Sequence, residues 1–258
     1  RIFSDSAGQI RKLAALITES YPERRVLAIH STKGVATTGD PIVQAALADI
    51  NQAAPHLDVL LHSPSVESGV SLTTPRFTRS FGIYCGQVTP AAFIQMARRD
   101  RTATHFTLGI LGNGARWAET KRGNILANLD ATHRRTVEIA AIEGRYRMEV
   151  TPATPWDARV AAYKASRNRA TNLYAQGLWF RLEALGATVT PLENALIDRK
   201  VLSAAADLAR ASYREAILSA RDITADDRET LEQTYEPTPE QSAEMARYDC
   251  AETLATPV

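Results

Sequence analysis

Three arginines lie within four consecutive residues of the segment "QMARRDR", residues 95–101. Gln95, Arg99 and Arg101 fall at i, i+4 and i+6 near the end of a predicted helix that begins at Thr89. Arginine stays charged, and its planar guanidinium matches the oxygens of a phosphate group. The segment therefore indicates phosphate binding. Its alternative is a solvated helix end whose arginines complement the helix dipole.

A loop rich in hydroxyl groups precedes this helix and directly follows the apolar run "LDVLL". The loop and its flanks, "HSPSVESGVSL" at residues 62–72, contain four serines, Glu67 and Gly69. Small residues let a backbone approach an anion closely, and hydroxyl and amide groups donate to phosphate oxygens. The loop is thus a candidate phosphate-binding segment, although the same composition is typical of a surface turn.

Five apolar segments alternate with helical patterns and are expected to position these residues. Strands are predicted in "RIFSDS", "RRVLAIHS", "LDVLLHS", "FTRSFGIYCG" and "THFTLGIL". Helices are predicted in "AGQIRKLAALITES", which Ser6 can cap, in "PIVQAALADINQAAP" and in "TPAAFIQMARRDR". This order predicts an α/β fold, a mostly parallel sheet with helices on both faces. The polar loops are then expected at the carboxyl ends of the strands, where function collects in such sheets.

The pattern changes after Gly112, where a polar linker is followed by helical segments. A long amphipathic helix is predicted over residues 156–185 and another over about 193–221, before an acidic tail. The predicted organisation is an α/β lobe at 1–115, a helical accessory region at 116–235 and the tail at 236–258. The long helix mixes Trp156, Tyr163, Trp179 and Phe180 with basic residues. Such a mixture can bind single strands, but helical spacing favours packing of the aromatics in a core.

Composition excludes several classes of protein. The net charge of +1 gives no overall bias towards nucleic acid, so any such binding requires a local patch. Two distant cysteines argue against a disulfide framework, and no stretch is apolar enough for a membrane span or a signal peptide. A cytoplasmic protein without membrane partners is expected. The chain opens at Arg1 without a methionine, which suggests a piece of a longer protein.

Taken in order, four segments resemble a known family. They are "IFSDSAGQIRKLAALI", "RVLAIHS", "LDVLLHSPSVESGVSL" and "FTRSFGIYCGQVTPAAFIQMARRDR". They resemble the second RecA-like lobe of superfamily 2 helicases, and most of all the replication-origin-binding helicases of the herpesvirus type and related plasmid and phage replication proteins. The resemblance covers roughly residues 1–112, and "SPSVESGVS" and "QMARRDR" are its most specific parts.

The resemblance implies a role for each matching residue. Arg99 and Arg101 would reach the γ-phosphate of ATP, and Gln95 would position the attacking water or couple the lobes. The nucleotide would be approached by Glu67, Ser68, Gly69 and Ser71. Contacts to the nucleic acid would come from Ser4, Ser6, His30, Ser31, Ser63 and Ser65.

The chain departs from the family pattern in two ways. Arg98 stands where many relatives have glycine or alanine, and Asp100 is an acid that could pair with Arg98 or Arg101 and weaken them. No phosphate loop of the form GxxxxGKS or GxxxxGKT and no DExH box are present, so ATP and Mg²⁺ would be bound mainly by a preceding RecA-like lobe. This chain alone is expected to be inactive.

The function implied is the second motor lobe of an ATP-dependent DNA helicase in replication initiation. Its expected partners are single-stranded DNA, the N-terminal lobe of the same protein and other replication proteins. One alternative is a non-catalytic nucleic-acid-binding module that keeps the fold. Another is a doubly wound enzyme whose serine loop holds a phosphorylated small molecule, although no acid, base or nucleophile constellation supports it.

Overall fold

The computed structural model describes residues 1–31, 39–65, 71–112, 116–142, 154–192, 199–234 and 237–255. The chain divides into two compact units. We call them the sheet unit, made of Arg1–Cys85, Phe93–Leu111 and Thr190–Val258, and the helical unit, made of Gly86–Ala92 and Gly112–Val189. The predicted accessory region is therefore split, because its later helices pack with the sheet.

The sheet unit is built on five parallel strands. They are β1 (Ile2–Ser4), β2 (Val26–Ile29), β3 (Val59–His62), β4 (Ser80–Tyr84) and β5 (Phe106–Ile110). Their order across the sheet is β2-β3-β1-β4-β5, and every neighbouring pair is parallel. All five strands lie inside the predicted segments, and the RecA-like α/β class followed by helices is confirmed.

Helices cover both faces of this sheet. They are α1 (Ala7–Ser20), α2 (Pro41–Ala48), α3 (Ile50–Ala53), a 3₁₀ turn (Ala54–His56) and α4 (Pro90–Ala97). Residues of α2 and α3 pack on β2 and β3. Phe93 of α4 stacks on Tyr84 with ring centroids 4.5 Å apart and packs at a tilt against Phe3, with centroids 5.2 Å apart. On the other face, Ile17 of α1 lines a cavity of about 500 Å³ together with strand residues.

The helix predicted over 41–55 is shorter than its pattern indicated, and the predicted cap of α1 is not formed. The segment 41–55 is interrupted at Asp49, whose carboxylate accepts from the amides of Asn51 and Gln52 and so caps α3. Ser6 occupies the cap position of α1, but its side chain makes no capping bond there. Its amide donates to Ser4 Oγ instead, at 3.1 Å.

Three further helices complete the sheet unit: α8 (Arg199–Ser219), α9 (Ala225–Glu232) and α10 (Pro239–Ala255). The predicted helix over 193–221 starts at Arg199 among the described residues, since 193–198 lie outside them. The acidic tail predicted at 236–258 contributes α10. Within the described part of the chain, no helix is both long and apolar enough to cross a membrane.

The helical unit contains α5 (Arg122–Ile142), α6 (Pro155–Asn172) and α7 (Tyr174–Ala184). The long helix predicted over 156–185 is therefore two helices, which meet at Leu173. The small core of the helical unit consists of Ile125 of α5 packed with Ala161 and Ala165 of α6. The four aromatics expected to pack in a core are instead exposed: Trp156 68%, Tyr163 68%, Trp179 41% and Phe180 67%.

Candidate functional site

The arginine cluster lies in a turn and not on a helix. The prediction placed Arg99 and Arg101 on the last turn of the helix, but α4 ends at Ala97. The Arg101 amide donates to the Leu72 carbonyl at 2.9 Å, and the Leu72 amide donates to the Arg99 carbonyl at 2.8 Å. A helix would need the Arg101 amide for the carbonyl of Ala97. The pairing with Leu72 therefore ends the helix and forms what we call the arginine turn, residues 98–101.

The same pairing brings the end of the serine loop against the arginine turn. Leu72 and Asp100 form an isolated parallel bridge. Next to it, Arg101 Nε donates to Ser71 Oγ at 3.0 Å. The structure thus joins one residue predicted to approach a nucleotide to one predicted to reach its γ-phosphate. The other three predicted nucleotide residues, Glu67, Ser68 and Gly69, lie outside the described residues.

Asn51 of α3 holds this end of the loop in place. Its side-chain amide donates to the Ser71 carbonyl at 2.9 Å, and its Oδ1 accepts from the Thr73 amide at 2.7 Å and the Thr74 amide at 3.2 Å. One side chain therefore satisfies three backbone groups of the segment 71–74. Ser71 is positioned by Asn51 from one side and by Arg101 from the other.

The remaining predicted catalytic residues differ in exposure. Arg99 is half-buried and lines a small apolar cavity with Ile29, Leu60 and Leu72, and burial lowers the pKa of its guanidinium. Arg101 is exposed, and so is Gln95 on α4. Of the three arginines in the turn, Arg98 and Arg101 are therefore exposed to solvent and Arg99 is half-buried.

Asp100 is buried and directed into the sheet unit. Its Oδ1 accepts from Thr102 Oγ1 at 2.7 Å and from the amides of Thr102 and Ala103 at 3.1 and 3.2 Å. Its other oxygen lies 3.4 Å from Ser80 Oγ and 3.9 Å from a guanidinium nitrogen of Arg1. The carboxylate therefore closes its own turn and faces Arg1.

Arg1 is itself buried and ties β3 to the end of α4. Its guanidinium donates to the carbonyl of Met96, to the carbonyl of Ala97 at 3.0 Å, and to Nε2 of His62 at 2.9 and 3.1 Å. Because arginine can only donate, His62 Nε2 is the acceptor and Nδ1 carries the proton. Burial is the main cause that lowers the pKa of Arg1 to about 10, and Asp100 opposes it.

Most residues predicted to contact nucleic acid face the protein interior. Ser4 is fully buried and its Oγ donates to the Ile83 carbonyl at 2.8 Å, while Ser6 is also buried. Ser63 is buried and its Oγ lies 2.6 Å from that of Ser65. Buried His30 has its pKa lowered to about 4, first by burial and then by Arg11. Ser31 is exposed and Ser65 partly exposed, so these two are accessible to a phosphate.

Two residues that shape the site were not among the predicted ones. Asn51 lies inside a predicted helix, although asparagine side chains compete with the helix backbone for hydrogen bonds. This unfavourable position was the sequence signal that could have identified Asn51. Arg1 gave no signal, because an arginine before an apolar strand is ordinary. Among the described residues, no group of three or more His, Cys, Asp or Glu side chains could hold a metal ion.

Comparison with known proteins adds one partial similarity. No protein-family model matches the chain. Over 92 residues it is 34% identical to a protein of Picosynechococcus sp. described as uncharacterized. The match covers 35% of this chain and 9% of that protein, so the chain spans only a small part of its relative's length.

Proposed function

We propose that the chain is the second motor lobe of an ATP-dependent DNA helicase that acts in replication initiation of a plasmid, a phage or a similar element. It contacts the phosphates of single-stranded DNA. It also supplies Arg99 and Arg101 to ATP and Mg²⁺ that are held mainly by a first RecA-like lobe of the same protein. The supporting observation is the pairing of Leu72 with the arginine turn, together with the hydrogen bond between Ser71 and Arg101.

The geometry of the arginine turn suits a charge that develops during phosphoryl transfer. Arg101 uses Nε to contact Ser71, and a guanidinium has further N–H groups for phosphate oxygens. Its position is fixed by backbone bonds to Leu72, so little reorganisation is needed when the charge appears. Gln95 is exposed four residues before Arg99, and in this proposal it orients the attacking water molecule. Arginine fingers of this kind contribute about 10³-fold or more to the rate.

The two accessible serines, Ser31 and Ser65, fit the second part of the proposal. Ser65 and Ser31 follow the carboxyl ends of neighbouring parallel strands, β3 and β2. Hydroxyls at this edge can donate to backbone phosphates without reading bases. Buried Ser4, Ser6 and Ser63 support this edge from within, through hydrogen bonds to the chain itself.

The competing proposal, a non-catalytic binding module, rested on Asp100 as a charge that neutralises the arginines. The carboxylate instead closes its own turn and faces Arg1. Asp100 is therefore compatible with a working arginine turn, and the motor proposal is the better supported of the two.

The test uses the full-length protein, including any preceding lobe, and measures ATP hydrolysis stimulated by single-stranded DNA. We expect Arg99→Ala and Arg101→Ala each to lower kcat by about 10³-fold while DNA binding persists. Arg98→Ala is the matched control, since it removes an exposed arginine of the same turn and should hydrolyse ATP like the wild type. An inactive wild type, or two variants that match it, would leave the binding module as the better account.

A further inference from the structure

One face of α6 carries an ordered stripe of aromatic and basic side chains. Trp156, Arg159, Tyr163 and Arg167 are all exposed, and we call them the α6 stripe. At 3.6 residues per turn, positions i, i+3, i+7 and i+11 fall within an arc of about 80°. Aromatic and arginine side chains therefore alternate along a single line of the helix.

The stripe is not needed to hold the helical unit together. The opposite side of α6 contains Ala161 and Ala165, which are fully buried against Ile125 of α5. Trp156 and Tyr163 each leave 68% of their surface exposed, which is high for large aromatic residues. Helix α6 therefore packs through its alanines and leaves these two aromatic rings exposed to water. This exposure indicates a binding surface.

The charge of α6 selects the kind of partner. The helix carries four basic residues, Arg159, Lys164, Arg167 and Arg169, and one acidic residue, Asp157. The Asp157 carboxylate is occupied in the capping box, where it accepts from the amide and hydroxyl of Thr154, both at 2.8 Å. The positive charge of this helix therefore favours a polyanionic partner. The stripe itself contains no acidic residue that could attract a basic partner.

We propose that the α6 stripe binds single-stranded nucleic acid. Bases stack on Trp156 and Tyr163, and Arg159 and Arg167 bind the phosphates beside them, which is the combination found on single-strand binding surfaces. The two aromatics are seven positions apart, which corresponds to about 10 Å along the helix. That distance exceeds the spacing of about 3.4 Å between stacked bases, so the two rings hold bases that are not neighbours.

This site is distinct from the arginine turn and does not depend on ATP hydrolysis. It lies entirely within the helical unit, whereas the arginine turn belongs to the sheet unit. The proposal also differs in chemistry from the hydroxyl contacts of Ser31 and Ser65, because base stacking excludes an intact duplex. A single strand of DNA and a single strand of RNA share the required chemistry, and the experiment separates them.

The test measures fluorescence anisotropy of labelled oligo-dT, oligo-rU and a DNA duplex on titration with the 258-residue chain. We expect single strands to bind more tightly than the duplex. Trp156→Ala and Tyr163→Ala should each weaken single-strand binding by between about 5-fold and 150-fold. Tyr163→Phe, which keeps the ring, should bind like the wild type.

The contribution of charge is separated by salt dependence. Arg167→Ala should lower the slope of log affinity against log salt by about 0.7, the value for one phosphate contact on a single strand. The matched control is Arg122→Ala, which removes an exposed arginine of α5 in the same unit. A slope that falls equally in both variants would show a diffuse charge effect and overturn the phosphate assignment.

A spectroscopic measurement locates the stacking directly. With Trp117 and Trp179 replaced by phenylalanine, Trp156 is the one remaining tryptophan. Oligo-dT should then quench its fluorescence at the concentrations that saturate the anisotropy signal. Unchanged fluorescence together with unchanged affinity of Trp156→Ala and Tyr163→Ala would overturn the proposal, as would self-association of the chain that Tyr163→Ala abolishes.

The two proposals can fail separately. Arg101→Ala should lower kcat for ATP hydrolysis in the full-length protein by about 10³-fold and leave quenching of Trp156 intact. Tyr163→Ala should remove stacking in a protein whose arginine turn is unchanged. Quenching without ATP hydrolysis would support the α6 stripe alone, and hydrolysis without quenching would support the motor lobe alone.

Discussion

At the scale of single residues, burial decides what each charge near the site can do. Asp100, Arg1 and His62 lie beside the arginine turn, and all three are almost completely buried. Arg1 donates to His62 and to the carbonyl of Ala97 at the end of α4. Asp100 accepts from Thr102 and Ala103 and lies 3.9 Å from Arg1 in an ion pair. Exposed Arg101 is thereby left to interact with a ligand, while its buried neighbours fix the turn that presents it.

The buried histidines predict that stability falls in mild acid. Burial lowers the pKa of His30 to about 4 and holds that of His62 well below its usual range, with Arg1 adding to the effect on His62. Both rings stay neutral in the folded protein, whereas the unfolded chain protonates them below about pH 6.5. The unfolded state then binds more protons, so the free energy of unfolding falls as pH drops from about 6.5 towards 4.

We expect His30 to account for a loss of about 2 kcal/mol between pH 7 and pH 5, and His62 to add a loss in the same direction. Urea unfolding at pH 7 and pH 5 measures this loss. His30→Asn removes one titrating ring and should reduce the difference between the two pH values. His105→Asn is the control, because His105 is exposed and its replacement should leave the difference unchanged. Equal pH dependence in all three proteins would mean that His30 is not a cause of the loss.

At the scale of elements, Gly82 leaves space on one face of the sheet for large side chains of the two neighbouring strands, β1 and β5. Gly82 lies in β4, opposite Phe3 of β1 and Leu108 of β5. A Cβ atom at Gly82 would lie 2.6 Å from Phe3 Cζ and 2.7 Å from Leu108 Cδ2. The absence of a side chain therefore makes room for the ring of Phe3, which in turn packs against Phe93 of α4.

Gly82→Ala should accordingly lower the free energy of unfolding by about 1–3 kcal/mol, because the added methyl group overpacks the sheet face. Chemical denaturation checks this value. Gly123→Ala is the matched control, since no atom lies within 4 Å of the added Cβ and the residue is in helix α5. That variant should be neutral or slightly more stable. A neutral Gly82→Ala would mean that Phe3 repacks freely.

Sequence patterns located the elements better than their ends. The strands were found because apolar runs such as "VLAI" and "VLLH" must be buried, and burial depends on local composition. The helix ends at Asp49 and Ala97 depend on bonds to other parts of the chain or on a competing cap, which periodicity does not contain. The same limit applies to the site. The arginines and serines could be recognised in the sequence by their residue types, but the bridge between Leu72 and Asp100 that joins their segments could not.

At the scale of the whole molecule, the C-terminal helices belong with the sheet. Helix α8 packs against α1, where the Arg11 guanidinium lies 5.7 Å from the centre of the Tyr213 ring. Helices α8–α10 are tied together in turn by Arg247 with Asp222, Arg221 with Glu244 and Arg228 with Asp249. Helix α8 therefore packs on α1, and helices α8–α10 are expected to stabilise the side of the sheet that α1 covers.

Removing helices α8–α10 should destabilise the sheet unit. We expect a chain that ends at residue 189 to have a lower Tm than the complete chain, because α1 loses the helix packed on it. Tyr213→Ala should show a smaller effect in the same direction, about 1 kcal/mol for the lost cation–π contact, or roughly 2–4 °C in Tm. Tyr163→Ala is the matched control, since it removes an exposed tyrosine of the α6 stripe and should leave Tm unchanged. If the truncated chain melted at the same temperature as the complete one, α8–α10 would be an appendage, and residues 1–112 would fold without them.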